Sequence, residues 1–86
     1  MDSKKKKSLN ISKNTFNQIV KGDRHWLIVE HLLYKKGDYI TLECLENGNY
    51  INVEVLSVSS DNKLSKECAI LEIKVHFERG AKIEAV

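Results

Sequence analysis

The stretch YITLECLENGNYINVEVLSV, Tyr39 to Val58, decides the fold. Ile40, Leu42 and Cys44 alternate with Thr41, Glu43 and Leu45. Asn47-Gly48-Asn49 then interrupts, after which Ile51, Val53 and Val55 alternate with Asn52 and Glu54. A period of two on both sides of an Asn-Gly pair predicts an antiparallel hairpin with one apolar face, because Asn-Gly suits the type I′ turn. A lone hairpin is marginal in water, so the rest of the chain has to cover that face.

Downstream, residues 59–66 read as a polar loop, and CAILEIKVHF follows as a long strand. It places Ala69, Leu71, Ile73, Val75 and Phe77 on one face. ERGAKIEAV turns at Gly80 into a short edge segment. Upstream, the KKGD run at 35–38 is a turn. Before it, HWLIVEH alternates Trp26, Ile28 and Glu30 against His25, Leu27, Val29 and His31. Here the reading puts Trp26 and Ile28 inward and leaves the opposite face open. Earlier still, Phe16, Ile19 and Val20 form one helical stripe, predicting a helix over about 13–21. Ser12 is its N-cap and Gly22 its left-handed C-cap. Leu9-Asn10-Ile11 is a short first strand. Residues 1–7 are expected to be a disordered basic tail, because a lysine run repels itself and buries nothing.

The expected fold is therefore mainly β, of α+β type: a small, partly closed barrel of five or six strands with one N-terminal helix. Closure hides the strand edges that an open sheet would expose. Residues 8–86 make one domain. A chain of 86 residues buries only roughly 60–65% of its unfolded surface, which leaves no room for a second lobe. The composition, 42% apolar and 30% charged, is ordinary for a globular protein. No apolar run approaches the roughly 18 residues of a membrane span, and no apolar segment follows the N-terminal lysines as a secretory signal requires. Cys44 and Cys68 read as reduced thiols of a cytoplasmic protein.

The order of these signals resembles a known family. Phe16, Ile19 and Gly22, then Trp26 and Ile28, then Tyr34, Gly37, Asp38, Ile40 and Leu42, and finally AILEI at 69–73 are similar to the ASCH group of the PUA-like superfamily. The likeness is strongest to its short phage-type members and covers roughly residues 9–77. The resemblance implies a PUA-like barrel that binds RNA or a modified nucleotide. Some members look like amidohydrolases of acylated cytidine. The group's G-x-K-x-x-E-x-R pattern is degenerate here: Gly22 matches, Arg24 stands at the lysine, Leu27 at the glutamate and Val29 at the arginine. Arg24 does not replace a basic lysine, because a guanidinium stays protonated. The chain is therefore expected to be a binding module rather than an enzyme, with no catalytic residues assigned.

Charge is unevenly spread. Residues 1–13 carry five lysines against one aspartate, while the remainder carries nine basic and eleven acidic residues. Candidate nucleic-acid contacts are Lys4, Lys5, Lys6, Lys7, Lys21, Arg24, His25, Lys35 and Lys36, which supply phosphate attraction. The candidate pocket or partner face is His25, Leu27, Val29 and Tyr34. An imidazole beside aliphatic side chains suits a stacked ring or an apolar partner. The second expectation is thus a phage or mobile-element accessory protein that binds and inhibits a host protein through this face. His25 and His31 lie about 20 Å apart along one strand, and no metal-ligand spacing occurs. Neither a metal nor a cofactor is expected.

Overall fold

The computed structural model describes residues 7–30, 34–59 and 68–84. Its strands are β1 (Lys7–Ile11), β2 (Trp26–Glu30), β3 (Tyr39–Cys44), β4 (Tyr50–Ser59), β5 (Cys68–Val75) and β6 (Ala81–Lys82), with one helix, α1 (Lys13–Val20). The strands form one curled half-barrel sheet in the order β1-β3-β4-β5-β2, with β6 pairing β4. β1 runs parallel to β3; the pairs β3–β4, β4–β5, β4–β6 and β2–β5 are antiparallel.

The hairpin forms where its alternation places it, with Ile40, Leu42, Ile51, Val53 and Val55 fully buried. Its connection is longer than a two-residue turn. Cys44 N–H donates to Asn49 O and Gly48 N–H to Cys44 O, so residues 45–48 form the loop. Asn47 Oδ1 accepts from the Asn49 amide at 2.9 Å, and Gly48 takes φ 76°. This asparagine closes an Asx turn instead of occupying the first corner of a type I′ turn.

Helix α1 starts as its cap residue requires: Ser12 Oγ accepts from Thr15 N–H at 3.2 Å. It ends in a Schellman motif, with Asp23 N–H bonding Gln18 O, Gly22 N–H bonding Ile19 O and Gly22 at φ 83°. Phe16 and Ile19 close over the inner face of the sheet, within one core that includes Leu42, Val53, Leu71 and Ile73. A helix of eight residues does not persist alone, so this packing holds it.

Beyond the hairpin turn and Phe77, which lies half exposed in a 3₁₀ turn after β5 ends at Val75 instead of on its inner face, two expectations need correction. Lys7 is not part of a tail: it opens β1 opposite Ile40. Residues 1–6 lie outside the described residues. The second correction changes the functional argument. Leu27 and Val29 are each only 3% exposed and belong to the core, whereas Trp26 is 44% and Ile28 49% exposed. Both sides of β2 are apolar, so its own alternation does not choose a face. β5 chooses it. Leu27 pairs with Leu71 and Val29 with Ala69, and partners across an antiparallel ladder share a face. β5 has apolar Ala69, Leu71 and Ile73 on one side and Glu72 and Lys74 on the other, which leaves it one permitted orientation.

One irregularity shapes the sheet. Between β4 and β5 the register steps from Val55↔Ile73 to Ser57↔Glu72, so Leu56 is an inserted bulge residue. A bulge of this kind bends its strand and increases the local twist, here where β4 runs beyond its pairing with β3.

Candidate functional site

Three surface regions carry chemistry. The first is the turn before β3. Lys7 Nζ reaches Asp38 Oδ2 at 2.6 Å, and the same oxygen accepts from Lys35 N–H at 3.0 Å. Desolvation pushes the Asp38 carboxyl up, but the hydrogen bonds from Lys7 and Lys35 together with their charges outweigh it, and the net displacement is downward. Lys7 also sits 5.5 Å from the centroid of the half-buried Tyr34 ring. Lys35 and Lys36 are exposed on this turn. The turn thus gathers Lys7, Tyr34, Lys35 and Lys36. Lys4, Lys5 and Lys6 fall outside the described residues, as does His31.

The remaining predicted residues lie elsewhere. Lys21 is the exposed C-cap of α1, and His25 is exposed just before β2. β1 and β2 stand at opposite edges of the strand order, so the candidate basic residues divide into two groups. Arg24 is held internally. Its Nε donates to Trp26 O at 3.0 Å, one terminal nitrogen approaches Gln18 Oε1 at 3.3 Å, and its guanidinium lies 4.0 Å from the Trp26 ring centroid. It ties the helix to the start of β2. A groove of about 410 Å³ does lie beside the helix end, lined by His25, Gly22, Val20, Leu56, Val75 and Phe77 among others. Leu27 and Val29 do not line it. They fill the core with aliphatic carbon at the two positions where the resemblance implies a glutamate and an arginine.

The second region is the outer surface of β3 and β4. Tyr39, Thr41, Asn52 and Arg79 line an open pocket of about 430 Å³. Asn52 organises it: Oδ1 accepts from Thr41 Oγ1 at 2.6 Å, while Nδ2 donates to the carbonyls of Arg79 and Gly80. These bonds pin the 3₁₀ turn Phe77–Arg79 and β6 onto the sheet. Arg79 lies 3.9 Å over the Tyr39 ring. His76 bridges Glu54 at 2.8 Å and Glu78 at 2.7 Å and meets the Tyr39 ring edge-on. Hydrogen bonds donated to Glu78 first, and then to Glu54, raise the His76 pKa; the His76 partnership in turn lowers that of Glu78. None of this cluster stands out in the linear sequence. Its signal is the run of polar outward positions along the hairpin, Tyr39, Thr41, Asn52 and Glu54, which acquires meaning only once the register is known.

The third region is the outer surface of β2 and β5. Trp26 and Ile28 project from it, Ile28 pairs with the half-buried Ile70, and Glu30 and Glu72 flank them. Trp26 is the outermost large ring of an edge strand, stacked only by Arg24 among the described residues. No helix of the described residues is long and apolar enough to cross a membrane, and no group of three or more metal-ligating side chains occurs among them. No protein-family model matches the chain, and neither does any curated protein.

Proposed function

We propose that this chain is a small protein-binding module whose working surface is the outer face of β2, centred on Trp26 and Ile28. The observation that carries this reading is the exposure of two large apolar side chains at alternate positions of an edge strand whose inner positions already complete the core. Apolar area left in water forgoes roughly 25 cal/mol per Å² of burial, so the fold gains little from these side chains. Tryptophan is among the residues enriched at the centres of protein interfaces. The flanking Glu30 and Glu72 give the patch a polar rim. Helix and half-barrel are compatible with a small barrel-like fold, and the PUA-like resemblance of residues 9–77 is part of the proposal. In this reading the module keeps that architecture, and contact moves from the filled interior to the outside.

A second reading, binding of RNA or a nucleotide, is favoured by Arg79. Its guanidinium lies over Tyr39 beside an open pocket and pairs with no carboxylate among the described residues. Lys35 and Lys36, in the turn that leads into Tyr39, would supply phosphate contacts. Glu54 and Glu78 beside His76 oppose it.

Capture from cell lysate separates the two. Immobilised wild-type chain should retain protein that is lost with Trp26→Ser plus Ile28→Ser and kept with Arg79→Ala plus Lys35→Ala. Retention of nucleic acid, lost only with the second pair of substitutions, would instead establish the nucleotide reading.

A further inference from the structure

The main chain of β2 carries its own information about a partner. His25 O accepts from Ile73 N–H at 2.8 Å, so His25, Leu27 and Val29 turn their main-chain groups toward β5. Trp26, Ile28 and Glu30 therefore turn theirs outward. No strand among the described residues pairs with that side. Exposed edges are ordinarily covered or blunted by charge, proline or a bulge. Here the blunting is local: Arg24 Nε occupies the Trp26 carbonyl, and Ile28 lies beyond it.

We infer that β2 pairs antiparallel with β2 of a second copy of this chain, about a two-fold axis through Ile28. The inference rests on reading the Trp26–Ile28 face as a contact surface and adds the partner and the register. Two observations select that register. A two-fold at Leu27 would need the Trp26 carbonyl as acceptor for both of its Ile28 amides, and Arg24 already holds that carbonyl. A two-fold at Ile28 also aims the Glu30 amides at that carbonyl, but it keeps four bonds clear of it, two between Ile28 groups and two from Trp26 amides to Glu30 carbonyls, against two for the axis at Leu27. Charge gives the second observation. In this register Trp26 falls opposite Glu30 of the second copy, and the guanidinium of Arg24 lies 4.0 Å from the Trp26 ring centroid. The incoming carboxylate meets a cation that no acidic side chain among the described residues neutralises. Both contacts occur twice, as an isologous interface requires. On the outer face Ile28 meets Ile28. On the inner face Leu27 meets Val29 and prolongs the core across the junction.

A five-residue strand makes a small interface, so association is weak and needs high concentration to appear. Sedimentation velocity of the full chain, from roughly 10 µM to roughly 1 mM, should show the mass rising from one chain toward two. Glu30→Arg should remain monomeric across that range, with its circular dichroism unchanged. Arg24→Glu should do the same, and an equimolar mixture of the two variants should recover the dimer, because each Arg24 position then faces an opposite charge at position 30. Should Arg24→Glu fail to fold, Ile28→Lys supplies the second variant and should also be monomeric. A wild-type chain that stays single at roughly 1 mM, or a Glu30→Arg chain that dimerises like wild type, overturns the inference. A wild-type chain that stays monomeric yet captures protein from lysate, with capture lost in Trp26→Ser plus Ile28→Ser, would overturn self-pairing while leaving the contact-surface reading intact.

Discussion

The outer face of the sheet has two sides that treat solvent differently. Over β3 and β4, polar side chains consume one another: Thr41 bonds Asn52, Asn52 holds the carbonyls of Arg79 and Gly80, and His76 spans two carboxylates. Over β2 and β5, Trp26 and Ile28 face outward beside Arg24, Ile70 and Glu72 among the described residues. The first side is finished within the chain. The second leaves Trp26 and Ile28 half in water, which is what the proposed contact would cover. Adjacent patches of one small sheet can thus serve closure and contact separately, and substitutions on the two sides should fail in different assays.

The largest effect should come from strand β2 itself. Leu27→Glu puts a carboxylate into a filled core and should cost more than about 4 kcal/mol, enough to unfold a domain of this size. Ile28→Glu, one residue along, should cost less than about 1 kcal/mol. Chemical denaturation of the pair checks this, and similar losses would abolish the distinction between the two faces of β2. Next, Asn52→Ala strips the bonds that hold the 3₁₀ turn and should cost about 1–2 kcal/mol. Hydrogen exchange should then accelerate at Ala81 and Lys82 and stay slow in β3.

Smaller still is the pH response of the His76 bridge. The folded pKa of His76 is raised above its ordinary 6.5, so its contribution is complete below that value and fades as pH rises through the raised one. Glu78 is lowered from 4.5; its contribution is present above that value and fades as pH falls through the lowered one. The bridge should therefore be strongest between the two limits. Thermal melts across pH should lose their alkaline limb in His76→Gln, and an unchanged limb would assign it to another group. The smallest effect belongs to Lys7→Ala, which removes a partly exposed ion pair and should change stability by at most about 1 kcal/mol. Added salt should shrink even that difference.

The legible parts of the fold were those where one face was plainly polar. β3, β4 and β5 each set polar residues (Thr41 and Glu43, Asn52 and Glu54, Glu72 and Lys74) against an apolar inner row, and α1 has a serine cap and a glycine stop, so their inner residues follow directly. β2 was illegible because Leu27-Ile28-Val29 offers apolar side chains to both faces. Glu30 was the one local clue, since it shares the face of Trp26 and Ile28 and marks that face as wet. The His76–Arg79 cluster was hidden for a different reason. Its two halves, Tyr39 to Glu54 on the hairpin and His76 to Arg79 after β5, are distant in the chain and come together through the β4–β5 register, which the sequence does not announce.

The bulge at Leu56 also sets how this chain tolerates changes in length. Because Leu56 is the extra residue between Val55↔Ile73 and Ser57↔Glu72, its deletion would leave Val55 inside, Ser57 outside and Val58 inside. The cost would be a straighter strand and a missing wall of the groove beside Phe77. Deletion of Val53 would instead turn Glu54 inward and Val55 outward until the bulge residue took up the difference. Across diverging sequences, single-residue gaps in this strand should therefore collect at position 56 and be absent from 51–55.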